Sequence, residues 1–286
     1  MRRLLIATAV ALLLAVPSPA GAQEDTLGRI KRIGAITIGY TETSAPFSSV
    51  GPGGTPQGYS IDLCLRVAEN IKKDLSLAKL DVKWVKVTAE NRIAFVVNGT
   101  VDIECGTTTK TLSRMQQVDF TALTFLDGGS LLVTTASGIG KITDLSGKRV
   151  AVIPTTTTER AMHEVVTKLS LQNVTLLSVK DHAEGLGALD DGKVDAYASD
   201  RTLLASLART SKSPAKLALL EAFISYEPYA FMIRRGDASF RFTVDRILIR
   251  LYRSAEVVPI YEKWFGPFPE GTSMIAALYV LNSVPE

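Results

Sequence analysis

The run Gly106-Thr107-Thr108-Thr109, with Arg114 five residues past the last threonine, carries the most suggestive chemistry in the chain. A guanidinium fork grips a carboxylate through two parallel hydrogen bonds. Hydroxyls at a helix start supply caps, and the free backbone N–H groups beside them favour an anion. The run Pro154-Thr155-Thr156-Thr157-Thr158 repeats the design after a second apolar segment, residues 149–153. Thr107, Thr109, Arg114 and Thr157 are therefore candidate binding residues for a small carboxylate. Ordinary caps and a solvated arginine would leave the same pattern at either place alone. The recurrence sets ligand binding beside that plainer reading.

Catalytic signatures are scarce. There is no Gly-x-Ser-x-Gly, no His-Glu-x-x-His and no phosphate loop ending in Gly-Lys-Ser/Thr. Gly51-Pro52-Gly53 and Gly138-Ile139-Gly140 are fragments of a dinucleotide fingerprint without its third glycine. The two histidines, His163 and His182, have no cysteine cluster near them, so neither a metal nor a cofactor is expected. His163 reads as an exposed helix residue. His182, in Lys180-Asp181-His182-Ala183 between a strand and a helix, is better placed for a cleft.

Such residues need elements to hold them. Apolar and β-branched runs predict strands over residues 35–40, 82–87, 101–105, 149–153, 174–179 and 194–198. Helical spacing predicts helices over 27–33, 61–73, 91–98, 156–169, 183–190, 203–209 and 240–253. Gly and Pro mark residues 46–58 as a loop. Helix alternating with strand points to an α/β fold with mostly parallel sheets. Two strand-rich crossings, 122–135 and 226–233, divide the pattern into two lobes joined by two hinge strands. The expected division is 23–125 for the first part of lobe 1, 126–229 for lobe 2, 230–266 for the return to lobe 1, and 267–286 for a C-terminal tail. In the tail, Thr272 or Ser273 would cap a short apolar helix over 274–281. One continuous sheet with long crossovers fits the same order. With two lobes, the cleft between them is the natural small-ligand site.

The chain begins as an address label does. Arg2 and Arg3 precede an apolar run over 4–16, and Ala20-Gly21-Ala22 offers a small-residue cleavage site. Residues 1–22 read as a signal peptide, with the mature chain starting near Gln23 and exported to the periplasm. The run is too short to span a bilayer, no cysteine stands at the cleavage site, and no later apolar stretch is long enough for a transmembrane helix. Setting aside Arg2 and Arg3 lowers the 32 basic residues to 30 against 29 acidic ones. That balance argues against nucleic acid as a partner. Cys64 and Cys105 are the only cysteines, and export allows a disulfide. Their spacing leaves the pairing open, because distance and Cβ direction decide it.

Together these stretches resemble the periplasmic glutamate/aspartate-binding proteins of ABC importers, bacterial solute-binding protein family 3, over nearly the whole mature length. The resemblance rests on Pro46-Phe47-Ser48, Gly58-Tyr59-Ser60-Ile61-Asp62, Asn91-Arg92-Ile93 and Asn98-Gly99-Thr100-Val101-Asp102. Most specific is Glu104-Cys105-Gly106-Thr107-Thr108-Thr109 with Arg114, followed by Lys180-Asp181-His182, Asp200 and Tyr261-Glu262-Lys263-Trp264-Phe265-Gly266. The resemblance implies a monomeric, two-lobed protein that closes on one L-amino acid and delivers it to an ABC permease in the inner membrane. It implies that Arg114 and Thr157 bind the α-carboxylate, Thr107 and Thr109 the ligand's polar backbone groups, and Asp200 the α-ammonium. Arg92 and His182 would face the ligand side chain, with a protonated His182 helping to hold a second carboxylate.

Two positions depart from the pattern: Thr41 stands where such proteins have an arginine, and Ala89 where they have a serine. Both belong to the side-chain end of the site, so glutamine, asparagine or another polar amino acid is the alternative ligand. An exported dehydratase acting on prephenate-like acids (cyclohexadienyl or arogenate dehydratase) resembles the same fold, with Glu42 and His182 as its acid/base candidates.

Overall fold

The computed structural model describes residues 25–269 and 273–285; the expected signal peptide and Thr272 lie outside them. Helix α1 (Thr26–Ile33) is capped by the Asp25 carboxylate and stopped by Gly34 in the left-handed region at φ 63°. Strand β1 (Ala35–Tyr40) leads into three short strands, β2 (Thr43–Ser44), β3 (Ser48–Val50) and β4 (Pro56–Gln57), which form their own small sheet where a loop was expected. Strands of two or three residues have no readable periodicity. Helix α2 (Tyr59–Asp74), β5 (Asp81–Lys86), α3 (Arg92–Val97), β6 (Ile103–Glu104), α4 (Leu112–Met115) and β7 (Val118–Asp127) follow.

The chain then crosses into a second sheet through β8 (Gly129–Thr134), β9 (Arg149–Val152), α5 (Thr157–Lys168), β10 (Thr175–Ser178), α6 (His182–Asp190), β11 (Ala196–Asp200), α7 (Arg201–Thr210) and β12 (Leu217–Leu219). It returns by β13 (Glu227–Arg234) and ends in α8 (Ala238–Arg253), α9 (Val257–Phe265) and α10 (Met274–Asn282).

The first sheet has the order β5-β1-β6-β13-β7 and the second β10-β9-β11-β8-β12. In each, one strand runs against the other four: β13 pairs antiparallel with β6 and β7, and β8 with β11 and β12. These are the two strands that arrive from the opposite lobe, so crossing over is what makes a mostly parallel sheet mixed. The passages lie at Asp127–Gly129 and between Leu219 and Glu227, so divisions after residues 125 and 229 fall inside β7 and β13. An apolar run announces a strand but not which sheet it joins.

Helices cover both faces of the second sheet. Leu131, Val133, Val150 and Val152 pack on one side, and Leu132, Ala151, Tyr197 and Leu204 on the other. Burial on both faces is why these strands read as continuous apolar runs. Under the first sheet, Phe47 sits 4.8–5.4 Å from the rings of Phe125, Tyr229 and Phe265, fixing the lobe next to both crossings. Cys64 of α2 and Cys105, just after β6, are joined by a disulfide with Cα atoms 6.4 Å apart. Ser273 caps α10, whose Ile275, Leu278 and Tyr279 are buried against the lobe. No helix among the described residues is long and apolar enough to cross a membrane.

Candidate ligand-binding cleft

The parallel strands β1, β5 and β6 of the first sheet and β9, β10 and β11 of the second all direct their carboxyl ends into one cleft, where open α/β sheets place ligands. The cleft encloses a cavity of about 230 Å³. Lobe 1 lines it with Thr41, Glu42, Lys86, Ala89, Arg92, Thr107 and Thr109. Lobe 2 adds Thr157, Lys180, Asp181, His182, Ser199 and Asp200. Of the expected site residues, the fold brings all but Arg114 to the cavity wall.

Three helices of lobe 2 start at this wall. Thr156 caps α5 by accepting the Glu159 N–H at 3.1 Å, Asp181 caps α6 through the Glu184 N–H at 2.9 Å, and Asp200 precedes α7. The N–H groups and dipoles at the starts of α5 and α6 favour an anion at the wall, whereas the first two N–H groups of α7, on Arg201 and Thr202, are taken by the Gly128 carbonyl and the Asp127 carboxylate. Thr107 and Thr109 lie just beyond the end of β6, and Arg92 opens α3.

Arg114 lies behind the wall, 7 % exposed. Its Nη1 donates to the Thr109 carbonyl at 2.9 Å and its Nη2 to the Thr155 carbonyl at 3.3 Å. Burial first, and then the neighbouring Arg92 cation, depress its pKa to about 9, which leaves it charged at neutral pH. It therefore supplies positive charge at the junction of the lobes while orienting two hydroxyl-bearing segments.

The lobes meet around the turn before α5. Thr155 donates its hydroxyl to the Ala89 carbonyl at 3.0 Å, and the Thr109 and Thr157 hydroxyls are 3.3 Å apart. Thr155 holds φ 64°, a conformation that costs a β-branched residue about 1–3 kcal/mol. Glu227, wholly buried at the start of β13, accepts hydroxyl protons from Thr109, from Thr157 at 2.6 Å and from Ser225 at 2.5 Å. One carboxylate thus gathers groups from both lobes and from the crossing. Sequence reasoning missed it, although a lone acid opening the apolar run Glu227–Arg234 was a usable signal.

Asp200 is buried and accepts a hydrogen bond from the Tyr229 hydroxyl. Burial, then the Glu227 and Asp127 carboxylates, push its pKa well above the usual range, against the pull of the Tyr229 hydrogen bond and Arg92. A buried carboxylate crowded by others is matched by a ligand ammonium.

The expectation of a charged His182 is corrected. Burial, and secondarily Arg92, hold its pKa at about 4 against the opposing pull of Asp181. Its Nδ1 lies 2.7 Å from the Tyr197 hydroxyl. Ser199 hydrogen-bonds to the same phenol, and burial keeps that phenol protonated. Tyr197 then donates to Nδ1, and Nε2 carries the imidazole proton. At the mouth, Lys86 is paired with Glu42. Thr41 is turned back on its own loop, its N–H donating to the Ser48 hydroxyl at 2.9 Å.

The family model for bacterial extracellular solute-binding proteins, family 3, matches residues 36–267. The chain is 40 % identical over 268 residues to an L-glutamate/L-aspartate-binding protein of Pseudomonas aeruginosa, covering 93 % of this chain and 88 % of that one. It is 34 % identical over 251 residues to a glutamate/aspartate import solute-binding protein of Salmonella typhimurium, covering 87 % and 83 %. A solved structure of an ancestral amino acid-binding protein, a precursor of cyclohexadienyl dehydratase, superposes with a TM-score of 0.72 at 28 % identity over 84 % of this chain and 99 % of that one. With a two-lobed fold, a charged cleft between the lobes and these relatives, the chain belongs to the bacterial extracellular solute-binding proteins, family 3.

Proposed function

We propose that this protein is the extracytoplasmic receptor of an amino-acid ABC importer, binding glutamate or aspartate and presenting the closed complex to an inner-membrane permease. It acts by binding, not catalysis. The observation that carries the reading is the opposition of charges in one small cleft: Asp200 on the lobe 2 wall and Arg92 on the lobe 1 wall. A zwitterion with an anionic side chain meets both. Asp200 takes the ammonium; Thr109 and the N–H groups at the start of α5 take the α-carboxylate, with Arg114 supplying charge from behind. Thr107 hydrogen-bonds the backbone polar groups, and Arg92 with the neutral His182 reads the side chain. Closure by such contacts is a population shift between open and closed lobes. Export by a cleaved signal peptide, periplasmic residence and a monomeric state belong to the same proposal.

A neutral polar ligand, glutamine or asparagine, is the second reading. Thr41 and Ala89 bring neither the charge nor the hydroxyl that the acidic-ligand pattern has there, and His182 is uncharged. The deciding experiment is calorimetric titration of the refolded, ligand-stripped mature chain with the common L-amino acids. One-to-one binding led by glutamate or aspartate is expected. Leadership by glutamine or asparagine moves the specificity, and silence across the panel overturns the amino-acid reading.

A further inference from the structure

Among the described residues, two buried side-chain polar atoms have no hydrogen-bond partner: Nε of Arg92 and Oε1 of Glu104. Glu104 is wholly enclosed at the end of β6. Its Oε2 accepts the Thr108 hydroxyl at 2.8 Å. Its Oε1 lies against Gly106, so close that a Cβ there would sit 2.3 Å from it, with Thr41 at the same spot. The unpaired carboxylate oxygen therefore stands beneath the side-chain end of the cavity, next to the position where the acidic-ligand pattern has a second cation.

Of the charged groups lining the cavity, Lys86 is paired with Glu42, and Lys180 adjoins Asp181 along the chain. These four sum to zero, so Arg92 is the cation that answers a ligand side-chain carboxylate. Arg92 on α3 and Arg114 on α4 are the cations acting on Glu104. The strands flanking Glu104 present Gly39 of β1 and Met232 of β13, which carry no charge. Arg114 is also shared with Glu227 and Asp200. A ligand side-chain carboxylate docking on Arg92 would bring a second buried anion to a cation that already answers one. Two carboxylates crowded in one site do not both stay ionised.

We propose that Glu104 is a positioning residue that serves as the counter-charge of Arg92 in the empty cleft and takes up a proton when a ligand side-chain carboxylate docks on Arg92. The inference rests on the acidic-ligand reading. A proton on Glu104 frees the Arg92 charge for the ligand and so replaces the missing second cation. Burial already pushes the Glu104 pKa up, with Arg92, Thr108 and Arg114 pulling against it. A nearby ligand anion raises it further, so the bound form holds more protons than the free form between the two pKa values, and equal numbers outside them. Affinity for glutamate relative to glutamine therefore rises as pH falls through that window. Asp200 meets the ammonium of both ligands alike, so its protons cancel in the comparison; His182 faces the side chain, and a proton taken up there is told apart because it survives in Glu104→Gln.

The test is calorimetry of the full mature chain with glutamate and with glutamine, in two buffers of different ionisation enthalpy, at about pH 6 and about pH 8. Glutamate should take up a fraction of a proton more than glutamine at the lower pH, and Glu104→Gln should remove that excess while still binding glutamate. A difference infrared spectrum of the unmutated protein, taken with isotopically labelled glutamate, should show a new protonated-carboxyl band belonging to the protein. This second measurement holds even if Glu104→Gln fails to fold. Equal proton counts for the two ligands, an excess that survives in Glu104→Gln, or a missing infrared band each overturn the role of Glu104 alone. Failure of glutamate to bind at all overturns the acidic-ligand reading together with it.

Discussion

Arg92 lines the cavity from the first turn of α3, while Thr41 and Ala89 beside the same space bring no charge. A hydrogen bond to a charged group contributes about 1.5–3 kcal/mol, so Arg92→Ala should weaken glutamate binding by roughly 10- to 100-fold. Glutamine should weaken only a few-fold, and equal losses in titration would remove Arg92 from side-chain recognition. His182 makes a stability prediction. Its folded pKa of about 4 lies below the unfolded value near 6.5, so between the two the unfolded chain binds more protons. Its contribution is complete above about pH 6.5 and lost as pH falls toward 4; discounted for partial exposure, it is worth about 2 kcal/mol. His182→Gln should flatten the acid limb of the denaturation profile by that amount, and parallel profiles would contradict it. The candidate residue Thr157 was legible because a hydroxyl at a helix start acts locally; Thr107 and Thr109 reach the cleft from the loop after β6, and Thr111 caps α4 instead. Glu104, Glu227 and Tyr197 were not, since their roles depend on burial and on partners far along the chain.

Element by element, the alternating pattern located β1 at residues 35–40 and the long helices to within a few residues. It passed over α9, where Pro259 reads as a break although it stands in the first turn, where its missing N–H is harmless. The tail helix α10 was legible as a capped apolar segment, but its docking site was not. Tyr279 stacks on Tyr252 at 4.8 Å and its hydroxyl lies 2.5 Å from that of Tyr59, while Asn282 accepts the Leu123 N–H at 3.2 Å along the edge strand β7. Covering that edge and burying three apolar side chains are both stabilising. A chain ending at Pro269 should melt about 10 °C lower while keeping its ligand ranking. An unchanged midpoint would show that α10 adds nothing to lobe 1. The disulfide between Cys64 and Cys105 closes a separation of 41 residues, for which loop entropy estimates about 4 kcal/mol. Cys64→Ala with Cys105→Ala should lose a comparable amount in denaturant titration.

At the scale of the molecule, function lies in how two lobes meet. Glu227 draws Thr109 of one lobe and Thr157 of the other onto one carboxylate, so it favours the closed arrangement whatever the ligand side chain. Glu227→Ala should weaken every amino acid that binds by a similar factor, roughly tenfold or more for the charged hydrogen bonds lost. In X-ray scattering, the ligand-induced compaction should need correspondingly more ligand; a change confined to one ligand would make Glu227 a specificity residue instead. Periodicity, caps and turn residues are properties of neighbours along the chain, so the sequence by itself determined the α/β alternation, the crossings and the hydroxyl-rich start of α5. Only the tertiary structure decided that both crossings add a strand opposed to its neighbours, that Arg114 stands behind the wall and that His182 is neutral. Those outcomes turn on desolvation and on through-space charge between residues tens to a hundred positions apart, which no local pattern encodes.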